Sequence, residues 1–186
     1  MFKLTEKKLD NWNCQIDVLN TNGEIVYGVK RNYGSNNAGI VEHEGKFYFV
    51  GNKNYHGGFI IYNLTDKLLL VDYIPAHNVG KYIPYWCLAA VKQSPNKKHV
   101  LLSGCYWGAP YDDVLVKTED LFKGDFWNGD LGSMCKYEID YYQDIPETHY
   151  FDNAEISFKS HETTVIAINI IDRESDEEKI IYKEIL

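Results

Sequence analysis

Short apolar runs separated by polar turns recur along nearly the whole chain. From Cys14 to Leu19 the pattern alternates, with Ile16 and Val18 on one face, the two-residue period of a half-buried strand. Asn20-Thr21-Asn22-Gly23 has turn chemistry, so Glu24 to Val29 reads as the return strand of a hairpin. Gly39 to Val41, Lys46 to Val50 and Phe59 to Asn63 predict further strands. Thr65-Asp66-Lys67 then turns the chain into Leu68 to Ile74, a second hairpin in the style of the first.

The centre of the chain reads as a β-meander. Leu88 to Val91 and Val100 to Leu102 flank the turn Ser94-Pro95-Asn96-Lys97, and β-branched Val114-Leu115-Val116 supplies a third strand. Pro75 and Pro84 keep the connection between them out of regular structure. Beyond it, Thr118 to Phe122 suits one helical turn, and Met134 to Tyr142 alternates as a strand. Asp144 to Asn153 reads as a loop. Glu155 to Ser160, Thr164 to Ile171 and Lys179 to Ile185 are the last strands, with an acidic turn at Arg173 to Glu178. No window holds an amphipathic helical period over a dozen residues. The expectation is an all-β antiparallel meander in a single domain, 1–186, with 1–12 as an N-terminal arm or short helix.

A strand–turn–strand unit repeats. Ile16 to Val26 lines up with Ile60 to Leu70, and Val114 and Ile166 open comparable runs. These starts are spaced by about 44, 54 and 52 residues, the period of four-stranded propeller blades. Cys87-Leu-Ala-Ala-Val-Lys-Gln-Ser-Pro-Asn-Lys-Lys-His-Val-Leu-Leu-Ser-Gly104 resembles the first two strands of a WD40-like blade. Phe59-Ile-Ile-Tyr-Asn-Leu64 resembles the third strand of the blade before it. The resemblance covers residues 39–121, without the Trp-Asp dipeptide or the Gly-His pair of that family. It implies propeller-like repeats; a β-sandwich or barrel accounts for the same strand spacing.

Composition narrows the function classes. The net charge of -8 disfavours a nucleic-acid partner, which requires clustered Lys and Arg, and suits a basic protein partner. Apolar runs fall far short of the ~20 residues of a spanning helix, so no membrane partner is expected. The N-terminus is too charged for a signal-peptide core, which makes a soluble, cytoplasmic protein the expectation. Asn63-Leu64-Thr65 matches a glycosylation acceptor, a match that has meaning only with secretion. Cys14, Cys87, Cys105 and Cys135 form no C-x-x-C pair, and Cys87 and Cys105 sit in apolar surroundings as expected buried thiols. His43, His56, His77, His99, His149 and His161 lack metal spacing.

Neither a phosphate-binding glycine loop nor a dinucleotide fingerprint nor a G-x-S-x-G elbow occurs, and no cofactor or metal is expected. Asp125, Asn128 and Asp130 lack the spacing and terminal Glu of a calcium loop. His161-Glu162-Thr163 matches a His-x-Thr half-motif of two-histidine phosphoesterases, but the second copy that mechanism needs is absent.

The densest loop is Cys105 to Asp113, where aromatics and carboxylates crowd around Gly108 and Pro110. Tyr and Trp offer large contact area at low entropy cost, and carboxylates steer toward positive charge. The candidate partner-binding residues are therefore Tyr55, His56, Trp86, Tyr106, Trp107, Tyr111, Asp112 and Asp113. They suggest a non-catalytic protein-binding module, in one version an acidic inhibitor or immunity-type protein. Two alternatives remain open: a hydrolase pairing His56 or His77 with Asp112 or Asp113, and a self-associating structural subunit.

Overall fold

The computed structural model describes residues 1–32, 38–52, 59–73, 86–106, 111–122, 137–138, 146, 148–158 and 163–185. Its strands fall into four sheets, each built from strands consecutive in the chain. The first sheet has the order β1 (Lys3–Lys8), β2 (Asn13–Leu19), β3 (Ile25–Asn32). The second runs β4 (Ala38–His43), β5 (Lys46–Gly51), β6 (Phe59–Asn63), β7 (Leu68–Tyr73). The third comprises β8 (Trp86–Gln93), β9 (His99–Tyr106), β10 (Tyr111–Lys117) and the two-residue β11 (Tyr137–Glu138). The fourth runs β12 (His149–Phe158), β13 (Thr164–Asp172), β14 (Glu178–Ile185). One 3-10 turn, Thr118–Phe122, follows β10. Among the described residues no strand crosses between sheets and no sheet closes into a barrel.

The polypeptide divides into two compact units, Met1–Val91 with Leu102–Asp112, and Lys92–Leu101 with Asp113–Leu186. In the first unit, Cys14, Ile16, Val18 and Val29 of the first sheet pack with Ala38, Phe49, Ile60 and Leu64 of the second. Tyr27 stacks on Tyr62 with centroids 4.1 Å apart and tilts against Phe49 at 5.1 Å. Burial, then the nearby Asp72 and Tyr62, push the Tyr27 hydroxyl up to about 12. β4 comes so close to β8 that a Cβ on Gly39 would lie 2.7 Å from both the carbonyl oxygen and the Cβ of Val91. In the second unit, Leu101 and Leu115 pack with Ile166, Ile168, Ile170 and Ile185.

Tight turns set the registers. Glu44 and Gly45 both take positive φ, 50° and 73°, the geometry of a two-residue hairpin whose twist matches its strands. Elsewhere an Asn or Asp side chain caps the turn. Asn20 Oδ1 accepts from the Asn22 and Glu24 amides, and Asn63 Oδ1 from those of Thr65 and Asp66. Asp172 Oδ1 accepts from Glu174 and Ser175.

Three elements differ from their sequence reading. Residues 3–8 form a strand rather than an arm or helix. Asp10 Oδ1 accepts the Trp12 and Asn13 amides and folds the segment back onto β2, and Phe2 and Leu4 join the core. The lysines hide this two-residue period. The expected loop 144–153 gives way to strand from His149 onward, because a bulge between Phe151 and Asn153 absorbs Asp152 without ending the pairing with β13. The aromatic segment 105–113 is mostly strand: β9 continues to Tyr106 and β10 begins at Tyr111.

Candidate functional site

β8 and β9 form a hairpin whose turn is closed by Ser94 N donating to His99 O at 2.9 Å. β9 and β10 are hydrogen-bonded neighbours joined by only the residues 107–110, too few for a parallel crossover, so they too run antiparallel. The first residue of β8, the last of β9 and the first two of β10 therefore share one end of the sheet. Those residues are Trp86, Tyr106, Tyr111 and Asp112, which the backbone places together although they lie up to 26 positions apart (112 − 86). A rigid sheet end presenting successive strand termini is where binding loops gain fixed positions.

A second segment is tied to the same strand. Asn52 directly follows β5, is only 2% exposed, and donates from Nδ2 to the Leu88 carbonyl at 3.4 Å. Its Oδ1 is buried and meets no hydrogen-bond partner among the described residues. An unsatisfied amide oxygen of this kind costs about 1–3 kcal/mol, and the sequence carries no sign of it. Asn52 leads into the segment holding Tyr55 and His56. Those two residues, together with Trp107, His77, His161, Asp125, Asn128 and Asp130, lie outside the described residues.

Asp113 departs from the expected role. It is 4% exposed, so its carboxylate is withdrawn from solvent instead of facing a partner. It lies on β10, an inner strand on which Val114, Leu115 and Val116 are buried in succession after it. Asn63, the formal glycosylation acceptor, is buried and committed to its turn. Cys14 is buried, and its thiol pKa is raised by desolvation, with Glu6 adding to the rise.

Sequence reasoning missed one polar network. His99 is buried, and its Nδ1 lies 2.7 Å from the Thr164 hydroxyl, which also accepts from Asn96 Nδ2 at 3.2 Å. Ser94 Oγ bonds both Asn96 Oδ1 and the His99 carbonyl. Desolvation, with Lys117 and Lys98 nearby, lowers the His99 pKa below its ordinary value. The spacing Ser94-x-Asn96-x-x-His99 was the available signal, but Thr164 enters only through folding. With Thr164 and His99 both buried, the network fixes the β8–β9 turn against β13.

Among the described residues, no group of three or more His, Cys, Asp or Glu side chains gathers in a metal-binding arrangement. No described helix is long and apolar enough to cross a membrane. No family model and no curated protein matches the chain. Among solved structures it is similar to Kluyveromyces lactis Hsv2, a yeast β-propeller protein, at 9% identity and a TM-score of 0.42. The similarity covers 98% of this chain but 57% of that one. A likeness so faint decides neither fold nor function.

Proposed function

We propose that the chain is a non-catalytic protein-binding module that meets a basic partner through the sheet end carrying Trp86, Tyr106, Tyr111 and Asp112. The single supporting observation is that these separated positions are termini of adjacent antiparallel strands. Asn52, which precedes Tyr55 and His56 in the chain, is tethered to β8. Aromatic side chains on such a platform supply contact area, and the net charge of -8 favours encounter with a positive surface. An acidic inhibitor or immunity-type protein covering a basic enzyme is the concrete form of this reading.

The test is a photo-crosslinking residue placed at position 106 and, as a control, at exposed Asn22 in the β2–β3 turn. In low-salt host extract, position 106 is expected to yield a discrete adduct with a basic protein, weakened at high salt. Absence of any adduct, or equal adducts from position 22, overturns the proposal.

A further inference from the structure

The β2–β3 turn carries a reactive pair, Asn22 and Gly23. Among the described residues, Asn22 alone is an asparagine followed by glycine; Asn128 also precedes one but lies outside them. Thr21, Asn22, Gly23 and Glu24 are all exposed. Asparagine side chains in the other turns are committed: Asn13 donates to Asp10, Asn63 to Asp66 and Asn96 to Thr164. Asn20 accepts the Asn22 and Glu24 amides and donates to Glu24 Oε2 at 2.8 Å. The Asn22 side chain, by contrast, makes no hydrogen bond among the described residues. Nothing crowds it from the glycine side: Gly23 has φ +80°, and no heavy atom lies within 4 Å of where a Cβ would stand.

We propose that Asn22 is a site of spontaneous covalent modification, its side-chain amide converting to a carboxylate through a cyclic imide. The Gly23 nitrogen loses its proton to base and attacks Asn22 Cγ. The N–Cγ bond forms, the Cγ–Nδ2 bond breaks, and the side-chain nitrogen leaves as ammonia. Water then opens the ring. Cleavage of the new N–Cγ bond gives aspartate at position 22; cleavage of the original peptide bond gives isoaspartate, whose backbone runs through Cβ and is longer by one carbon. Either product adds a negative charge to the formal -8, and isoaspartate adds length inside a turn that sets the β2–β3 register. Glycine favours the attack, because the absence of a Cβ lets its nitrogen swing toward the side chain. The turn itself sets the pace. Gly23 N donates to Asn20 O at 3.0 Å, and that bond must open before the nitrogen can attack. Exposed turn tips open at little free-energy cost, so the bond delays the reaction without forbidding it. Asn20 is the gate, since its side chain holds the amides on both sides of Gly23.

The folded protein is incubated in mildly alkaline buffer beside the same chain unfolded in urea, until the unfolded sample has converted completely at position 22. Peptide fragmentation by mass spectrometry places the converted residue, and enzymatic carboxyl methylation counts isoaspartate. The folded wild type is expected to accumulate an acidic form converted at Asn22, with Asn11, Asn13 and Asn20 intact. Asn22→Gln should lose that form, because the longer side chain closes the ring poorly. Asn20→Ala should convert faster than wild type while keeping the same circular dichroism spectrum. An Asn22 that stays unconverted in the folded protein overturns the proposal, as does conversion of Asn11, Asn13 or Asn20 at an equal rate. An Asn20→Ala rate no faster than wild type overturns the gate.

Discussion

Single polar side chains decide where this chain turns. Asp10, Asn20, Asn63 and Asp172 each place one oxygen against two following backbone amides, so a turn closes without a long loop. Asn63→Ala removes two such bonds at a buried site. A loss of about 1–3 kcal/mol is expected, read as a lower urea midpoint at unchanged m-value. His99 gives a pH signature. Its folded pKa lies below the ordinary 6.5, so on acidification the unfolded chain takes up the proton first. The stability it contributes is complete above pH 6.5 and is lost as pH falls through the folded value. Thermal midpoints at pH 7.5 and 5.5 should therefore differ in wild type, and His99→Gln should flatten that difference. The acceptors of the turns were legible from residue type alone. His99 was not, because its partner Thr164 is 65 positions away.

Elements followed the hydrophobic pattern wherever one strand face is buried. Ile16, Ile60, Val114 and Ile166, the starts of the repeating unit, all prove to be buried on strands paired on both sides, namely β2, β6, β10 and β13. Repetition in the sequence thus marked the inner strands of successive sheets. The pattern failed at β1, where lysines dominate the visible face, and at β12, where the bulge shifts the period by one. It failed also around Asp113, since two adjacent carboxylates look like a loop, whereas Asp113 is buried on an inner strand. Backbone proximity gave no sequence signal except the glycine itself. Gly39→Ala places a methyl 2.7 Å from the Val91 carbonyl oxygen, a contact that only a shift of backbone can relieve. A destabilisation of about 1–3 kcal/mol is expected in urea titration, against near neutrality for a surface change such as Lys30→Ala.

At the scale of the whole molecule, each compact unit owns an apolar cluster. Truncating one cluster should be felt first by the strands that share it. Ile168→Ala, in the cluster with Leu101 and Leu115, should cost about 2–5 kcal/mol and raise amide exchange across β12, β13 and β14. Ile16→Ala should do the same for β1 to β6. Hydrogen-exchange mass spectrometry of the two variants checks the assignment; identical exchange maps would contradict it.

The sequential make-up of the sheets bears on how the protein is made. Every described pairing joins strands that leave the ribosome one after another, so loop-closure entropy stays small and no early segment must wait for a distant one. Nascent chains stalled just after β7 has cleared the exit tunnel should already protect β4 to β6 from protease, as the finished protein does.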